Sequence, residues 1–515
     1  MNRAEPSGLP TAPKLRGYPG PATGAIERLA RNGLAIGAST WLSKGVLFLW
    51  QLMLARQLGA EGYGVYGTIG ALLALGAALP DLGMGLIVIR QVAKDHSQAD
   101  AYLAATVSLQ PPLAAIAWLG CLLLASLLGY AGHLQGLLAL AGVGLLIDVF
   151  GNMAHNQLLA IERMLLPSAI AVAHAALLLL LTGSVLLAGG GLLELYLAIL
   201  CASVIRSAAY WVGLMKFGGR PRFPVELPLL RRLVLDGWPL AAAGFLLLGS
   251  SHADKLLTTA LVGAAGTGLL TAGFVLVFGV IELFNTPLLV VTFPHMAQSF
   301  AQGEAEAFHR MVDRLLRVTL VVGLPLVMIV SFSADGLVGV LFGGPFAGAA
   351  RVLRVLIWVA LAAMVSAVFS QTLTVQNRQR RTLVVRLLGL AINVALALTW
   401  LPQLGALGAA RAVLVSELAV AACLALAANL PARWWRTMAN RLARLAIAAG
   451  VLSAGLWWLA PWGFIGSAAL ALALYAAALF ASRAISNRDW ALIRRLPAAW
   501  RTASDLAQPS PERMG

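Results

Sequence analysis

The 515-residue chain is too apolar for a soluble protein, because 60% of its residues are hydrophobic, only 11% are charged and the mean hydropathy is +0.84. A soluble domain carries about 25% charged residues, so the composition predicts an integral membrane protein. The net charge of +16 does not indicate a nucleic-acid partner, since the basic residues lie between apolar segments and form no separate basic domain.

The apolar segments predict an all-α fold of about fourteen transmembrane helices, because a hydrocarbon core about 30 Å thick needs roughly 20 apolar residues per helix. Residues 1–32, rich in proline and arginine, predict a disordered basic cytoplasmic tail. An N-terminal lobe over 33–214 contains six predicted spans, near 34–56, 65–89, 102–130, 134–158, 168–188 and 192–214. A C-terminal lobe over 237–428 contains six more, near 237–262, 268–293, 317–341, 352–376, 383–401 and 406–428.

The remaining segments connect or extend these lobes. Residues 215–236 are basic and contain proline, which predicts a cytoplasmic linker between the lobes. An extra pair of transmembrane helices is predicted within 429–482, near 440–460 and 463–482. Residues 304–317 have an amphipathic pattern that predicts either a helix lying on the membrane surface or an ordinary amphipathic connector. Residues 483–515 predict a cytoplasmic tail with a second interfacial helix.

Basic residues alternate between successive loops. The even-numbered loops and the C-terminal tail are rich in Lys and Arg, whereas the odd-numbered loops carry few. Cytoplasmic loops of membrane proteins carry the excess of Lys and Arg. The alternation therefore predicts a multi-pass membrane protein with both termini in the cytoplasm.

The two lobes contain an internal repeat. Leu58–Gly64 aligns with Val262–Gly268 at an offset of 204 residues, and Gln157–Arg163 aligns with Gln371–Asn377 at an offset of 214. Six helices per repeat is an even number, so both lobes insert in the same orientation. The lobes are therefore predicted to be related by a pseudo-two-fold axis along the membrane normal, with a cavity between them.

Several basic residues fall at membrane depth, where a charge costs about 2.5–3.5 kcal/mol on the insertion scale. Such residues usually face a cavity or a partner, and Lys and Arg are the usual partners of phosphate. One interpretation is a cationic, substrate-binding chamber with Lys44 and Lys255 facing one solvated space. The alternative is that long side chains extend to the headgroups. The candidates for the chamber are Lys44, Lys255, Arg206, Arg351, Arg354 and Arg90.

Acidic residues at membrane depth are candidates for binding a coupling ion, either H⁺ or Na⁺. Asp254 lies next to Lys255, so a local charge pair is an equally simple interpretation. The candidates are Asp254, Glu282, Asp81, Asp148 and Glu417. The sequence contains no P-loop, HExxH, GxSxG or Cys/His cluster, so no enzymatic activity, metal site or organic cofactor is expected.

A family resemblance is carried by the first two spans. Ala55–Tyr66 followed by Pro80–Gly85 resembles the corresponding segment of polysaccharide-biosynthesis flippases, the O-antigen (Wzx-like) exporters of the multidrug/oligosaccharidyl-lipid/polysaccharide (MOP) superfamily. Asp254–Leu257 and the segment 341–353 resemble the family's seventh helix and its entry to the tenth. The resemblance implies a bilobal cavity that opens alternately to the two sides and exports an undecaprenyl-diphosphate-linked oligosaccharide without an ATP site.

The resemblance leaves the substrate open. Membrane lipids are expected partners, and polysaccharide polymerase and chain-length machinery are candidates. The common exporters have twelve helices, whereas the extra pair near 440–482 resembles the fourteen-helix lipid II flippases. A drug or cation exporter of the same superfamily is a further alternative. Outside this class, a membrane glycosyltransferase or polymerase and a non-transporting scaffold remain alternatives.

Overall fold

The structure is a computed structural model that describes residues 25–458 and 464–481. Within these residues the chain forms α-helices and short turns with no β-strand, which confirms the predicted all-α fold. The first half contains α1 (Ala25–Asp81), α2 (Met84–Lys94), α3 (Ala99–Leu127), α4 (Gly132–Ala160), α5 (Leu165–Leu187) and α6 (Leu192–Lys216). The second contains α7 (Leu227–Leu261), α8 (Ala264–Val280), α9 (Thr286–Ala301), α10 (Ala305–Phe332), α11 (Ala334–Phe342), α12 (Ala349–Val375), α13 (Gln379–Leu404), α14 (Ala406–Ala427), α15 (Ala432–Trp458) and α16 (Phe464–Ala481).

Ten helices among the described residues are long and apolar enough to cross a membrane, or eleven if the bent pair within α7 is one span. One of the ten, Gly37–Lys94, has 58 residues. At 1.5 Å per residue this segment is about 87 Å long, which is enough for two crossings. Its backbone leaves helical geometry at Gly59 (φ 65°, ψ −177°), between the first two predicted spans. The count of fourteen spans stays a prediction.

Three predicted boundaries differ from the structure. Helix α1 begins at Ala25, so residues 25–32 are helical and not part of a disordered tail. The helix-free connection between the lobes is 217–226, shorter than the predicted linker 215–236, because α7 begins at Leu227. The sequence 227–236 is helical since its leucines repeat at helical spacing, and Leu233 is buried.

The amphipathic segment 304–317 does not form a separate surface helix. It continues without a break into α10, and its apolar residues Phe308, Val312 and Leu315 are at most 2% exposed. This face packs against protein, since an amphipathic pattern alone does not distinguish a lipid surface from a protein surface. The predicted interfacial helix and tail at 483–515, and residues 1–24, lie outside the described residues.

The second helix of each lobe is interrupted. Leu82 and Gly83 adopt left-handed backbone angles between α1 and α2, and Ile281–Asn285 forms a π-helical turn between α8 and α9. Prolines near both interruptions lack the N–H that a continuous helix requires. At membrane depth such irregular backbone is tolerated where it is buried in protein or lines a cavity.

Residues with positive φ terminate corresponding helices in the two halves, which confirms the internal repeat. Gly59 and Gly263, 204 residues apart as predicted, share a positive φ and a ψ near 180°. Four more pairs follow in the same order, Gly129 with Gly343, Glu162 with Asn377, Gly189 with Gly405, and Gly218 with Asn429. Helices therefore end at equivalent places in both halves.

The structure corrects the register of the second sequence match. Helix α4 ends at Ala160 and α12 ends at Val375, and the left-handed residues that follow, Glu162 and Asn377, are 215 residues apart. The predicted offset was 214, because two glutamines were aligned with each other. The hydrogen bonds that close the helix ends set the register, and they place Gln157 one position away from Gln371.

The extra C-terminal pair packs against the outside of the second lobe. Leu445, Leu452 and Tyr475 form an apolar cluster with Met328 of α10. The Tyr475 hydroxyl donates a hydrogen bond of 3.1 Å to the carbonyl oxygen of Val321. The pair α15–α16 is therefore anchored on α10.

Candidate functional site between the lobes

The lobes meet where α1 crosses α8, at two glycines that the repeat relates to each other. A Cβ atom on Gly64 would lie 2.6 Å from the carbonyl carbon of Ala264, and one on Gly268 would lie 2.7 Å from that of Ala60. Each lobe thus makes the same contact with the other, as a two-fold relationship requires. The backbones approach this closely because both positions lack a side chain.

The end of the interface near this crossing is closed. Tyr63 packs edge-on against Phe346 of the second lobe, with ring centroids 6.0 Å apart. Arg56 donates from Nε to the carbonyl oxygen of Leu341 at 2.8 Å and from a second nitrogen to that of Val340. The loop charges predict that this end faces the periplasm. Arg56, which lies beside a predicted loop with few charges, thus connects the two lobes.

The opposite end also contains a contact between lobes. The backbone of Leu82 and Gly83, at the interruption between α1 and α2, packs against α7. A Cβ on Gly83 would lie 2.6 Å from the Cβ of Leu240, and one on Gly237 would meet the carbonyl of Leu82. The interruption of the second helix therefore positions backbone against backbone between the lobes.

An ion pair links the lobes on the α1–α8 side. Lys44 of α1 contacts Glu282, which lies on the π-helical turn between α8 and α9. The two side chains are 45% and 44% exposed. π-Helical turns inside α-helices occur frequently at functional sites, because the extra residue redirects side chains. Two candidate residues from different predicted roles, substrate binding and ion coupling, are thus brought together.

Lys255 does not share an exposed site with Lys44. It is 9% exposed, and its Nζ lies 5.6 Å from the ring centroid of Phe274. The prediction that both lysines face one solvated space is therefore wrong for Lys255. The repeat offset of 204 pairs Lys255 with Gln51, which lies about two helical turns from Lys44 and not at the same height.

Asp254 is also buried, and no ion pair joins it to Lys255 among the described residues. Asp254 is 2% exposed, and its Oδ2 has no hydrogen-bond partner within this part of the chain. Adjacent residues on a helix point about 100° apart, so neighbouring charges in sequence need not meet. The two opposite charges still interact electrostatically within α7, so the local Asp–Lys charge pair is present as an interaction without a salt bridge in the described part of the chain.

A second polar feature is a cavity of about 340 Å³ inside the first lobe. Asp148 of α4 forms an ion pair of 2.5 Å with Arg206 of α6. Asp81 accepts hydrogen bonds from the backbone nitrogens of Gly83 and Gly85 at 3.1 and 3.4 Å. The polar residues that line the cavity are Asp81, Gln110, Asp148, Asn152, Tyr196 and Ser203. These oxygens could hold a proton or a small cation.

The other predicted charges lie elsewhere. Arg354 is paired with Asp335 of α11, and Arg386 of α13 donates to both oxygens of Glu417, at 3.1 and 3.0 Å. Glu417 is therefore half of an ion pair within the second lobe. Arg351 is exposed at the start of α12 and Arg90 is exposed in α2, at opposite predicted sides of the membrane.

The six basic candidates therefore do not form the single cationic chamber that was predicted. Lys44, Arg206 and Arg354 each have a carboxylate partner. Sequence reasoning also did not select Gln110, Asn152 and Ser203, which line the cavity beside Asp81 and Asp148. The sequence did contain a signal for these three residues, because uncharged polar residues deep in an apolar span usually form hydrogen bonds with polar neighbours. No group of three potential metal ligands occurs among the described residues.

Comparison with known proteins identifies the family. A family model described as polysaccharide biosynthesis protein matches residues 53–351, more than half of the chain. The chain belongs to this family. The match contains the crossing at Gly64 and Gly268 and the adjacent residues Asp254 and Lys255. The predicted family resemblance is confirmed.

Proteins similar to this chain include the probable lipid II flippase MurJ of Rhizobium meliloti (strain 1021), which is 25% identical over 452 residues covering 84% of this chain and 76% of the relative. A solved structure of lipid II flippase MurJ in an inward closed conformation has a TM-score of 0.72 at 10% identity, covering 86% of this chain and 98% of that one. An inward-facing multidrug resistance MATE family transporter of the MOP superfamily has a TM-score of 0.63 at 15% identity, covering 75% and 93%. The fold is that of the MOP superfamily.

Proposed function

We propose that this protein is a flippase that moves a saccharide linked to a polyprenyl diphosphate from the cytoplasmic to the periplasmic leaflet by alternating access. The proposal is carried by the interface between the lobes, where one backbone contact occurs twice about a two-fold axis and the Lys44–Glu282 ion pair crosses the boundary. A symmetric backbone contact at one end of the interface can serve as a gate that closes and opens as the lobes rock. The exposed ion pair offers a cation at the same boundary.

The ion pair supports an anionic substrate. A diphosphate provides oxygens that compete with the Glu282 carboxylate for Lys44, since phosphate and carboxylate oxygens both accept charge-assisted hydrogen bonds from a lysine ammonium group. Arrival of the substrate would then break a contact between the lobes. A drug or cation exporter would instead need Glu282 as its ligand, with Lys44 as a competitor.

Two substrates are supported by different observations. The family description favours a cell-surface polysaccharide precursor, such as one for O-antigen, lipopolysaccharide or exopolysaccharide. The second candidate is lipid II, which is favoured by the similarity to a probable lipid II flippase over 84% of the chain and by the additional pair α15–α16. In both cases the protein acts as a transporter and not as an enzyme, in a bacterial inner membrane with both termini cytoplasmic.

Coupling to an ion gradient is part of the proposal. Among the acidic candidates, Asp81 and Asp254 make no ion pair in the described part of the chain, whereas Glu282, Asp148 and Glu417 do. Asp81 lies in a polar cavity and Asp254 is buried in α7. We assign H⁺ or Na⁺ coupling to Asp81 first, because its cavity provides further oxygen ligands.

The test is a flipping assay in proteoliposomes with a fluorescent polyprenyl-diphosphate saccharide under an imposed proton or sodium gradient. The wild-type protein is expected to move the lipid. The Lys44→Gln and Glu282→Gln variants remove one partner each. Lys44→Gln should slow flipping about tenfold or more, the effect of losing one charge-assisted hydrogen bond. Glu282→Gln should retain more activity, since the cation remains.

The matched control is Lys94→Gln, which removes an exposed lysine at the end of α2. Its flipping rate should equal that of the wild type. A fluorescent lipid II arm distinguishes the two substrates. Absence of flipping for every saccharide lipid tried, with export of a cationic drug, would contradict the proposal and favour the drug exporter. Absence of any transport by a folded protein would favour a glycosyltransferase, polymerase or scaffold.

A further inference from the structure

A basic cavity lies outside the lobe interface, between the beginnings of α10 and α15. Its volume is about 420 Å³, and the charged and indole groups in its lining belong to Glu306, Arg310, Asp313, Arg433, Trp434 and Arg441. Both helices begin after loops that the charge pattern predicts to be cytoplasmic. The cavity is therefore at the expected level of the lipid headgroups in the cytoplasmic leaflet. Neither the interface nor the predicted transport residues contribute to it.

Ion pairs fix the wall of this cavity. Asp313 of α10 forms an ion pair of 2.5 Å with Arg317 and a second one with Arg441 of α15. Glu306 is paired with Arg310 at 3.2 Å. The two carboxylates thus face three arginines in these pairs alone. The link from Asp313 to Arg441 holds α15 against α10 and keeps the cavity walls together.

Two further hydrogen-bond donors in the lining, one on Arg433 and one on Trp434, have no acceptor side chain in the part of the chain that the structure describes. Arg433 is exposed at the start of α15 and makes no ion pair among the described residues. Trp434 is 8% exposed, and its Nε1 has no hydrogen-bond partner within this part of the chain. A buried donor without a partner is costly, about 1–3 kcal/mol. Together with Arg433, the cavity presents a net excess of positive charge and an unsatisfied N–H.

The surroundings indicate a lipid and not a free ion. Val318 and Val322 of α10 and Leu442 of α15 follow the charged residues of the cavity along their helices, deeper into the membrane, and they are 38%, 40% and 45% exposed. Exposed aliphatic side chains at that depth provide a surface for acyl chains. Basic pockets between transmembrane helices on the cytoplasmic side bind anionic headgroups.

We propose that the cavity between α10 and α15 binds the phosphodiester headgroup of an anionic phospholipid from the cytoplasmic leaflet. Arg433 and Arg441 contact the phosphate oxygens, and Trp434 Nε1 donates to one of them or to a headgroup hydroxyl. The lipid seals the additional helix pair against the second lobe. This assignment does not depend on which lipid-linked substrate the protein transports.

The experiment measures thermal unfolding of the purified full chain in detergent while lipid is added. The three probes are phosphatidylglycerol, phosphatidylcholine and inorganic phosphate. Phosphatidylglycerol is expected to raise the melting temperature, whereas phosphatidylcholine and phosphate leave it unchanged. Arg433→Gln should raise the half-maximal phosphatidylglycerol concentration about tenfold, and Trp434→Phe, which keeps an aromatic ring but removes the N–H, by a few-fold.

The matched control is Arg436→Gln, because Arg436 is exposed on the same helix but does not line the cavity. Its response to phosphatidylglycerol should equal that of the wild type. An equal effect of phosphatidylcholine, or an unchanged response of Arg433→Gln, would overturn the proposal. A loss in Arg436→Gln as large as that in Arg433→Gln would show general charge attraction instead. Stabilisation by inorganic phosphate alone would refute the assignment to a lipid.

Discussion

Adding one methyl group at Gly64 tests the proposed gate most directly. In the Gly64→Ala variant the new Cβ would lie 2.6 Å from the carbonyl carbon of Ala264 and 2.8 Å from the backbone nitrogen of Gly268. Carbon atoms in ordinary contact are about 3.5 Å apart or more, and the carbonyl oxygen of Ala264 would lie closer to the new Cβ than its carbon does, so the helices must separate by more than about 1 Å. The contacting atoms of Ala264 and Gly268 all belong to the backbone. The clash therefore cannot be relieved by rotation of a side chain.

The expected size of the effect follows from this geometry. Overpacking of a close contact costs about 1–3 kcal/mol. Because the cost falls on the conformation in which this end of the interface is closed, the conformational equilibrium should move toward the open state by roughly 5- to 150-fold. Flipping should slow as a result, since alternating access requires both states to be visited. Gly268→Ala, the repeat-related change, should have the same effect.

The assay is cysteine labelling with a membrane-impermeant maleimide. Thr267 is fully buried beside the crossing, so Thr267→Cys reports its opening in a background in which the native cysteines are replaced by serine. The Gly64→Ala variant should be labelled faster. Gly120→Ala is the control, because Gly120 of α3 lines neither the crossing nor the cavity beside Asp81, and a Cβ there has no atom within 4 Å. Equal labelling of the two variants, with wild-type flipping in both, would refute the proposed gate.

Three further predictions concern the same helices. Gly67→Ala should impair flipping, because its Cβ would lie 2.6 Å from Thr271 Oγ1; adding Thr271→Ala should restore it, and a double variant that is no better than the single one would contradict this contact. Lys44→Glu and Glu282→Lys should each separate the lobes on the α1–α8 side, and this separation should lower the yield of cross-linking between the lobes. The double exchange should restore the cross-linking, but it should not restore flipping if Lys44 also binds substrate. Asp81→Asn should keep the melting temperature but remove the dependence of flipping on the ion gradient, whereas a drop in stability without loss of that dependence would assign Asp81 a purely structural role as a backbone acceptor.

Much of the fold could be predicted because its determinants are local. Apolar segments of about 20 residues, turn residues between them and the alternation of basic loops specify membrane helices and their order. The repeat was found through Gly59 and Gly263, where a positive φ favours glycine in both halves. Because the residue types that mark a helix end can be recognised in the sequence, the repeat and therefore the two lobes could be predicted from it.

The alignment register of the second repeat match was more difficult to predict from the sequence. The identity of Gln157 and Gln371 suggested an offset of 214, whereas the helix ends at Glu162 and Asn377 require 215. A helix end is defined by its last hydrogen bonds and by the left-handed residue that follows them. Glycine adopts the left-handed conformation at the lowest cost, but here glutamate and asparagine occupy this position. Side-chain identity at one nearby position therefore misplaced the alignment by one residue.

The sequence by itself determined that this is a two-lobed membrane protein of the MOP type with ionisable residues at membrane depth. Only the tertiary structure decided their partners: Lys44 contacts Glu282, 238 residues away, and Arg206 contacts Asp148. It also placed Lys255 in a buried position although Lys44 is exposed. A charge in an apolar segment must find a partner or a cavity, but which one it finds depends on helix packing, and packing is set by contacts between residues far apart in the chain.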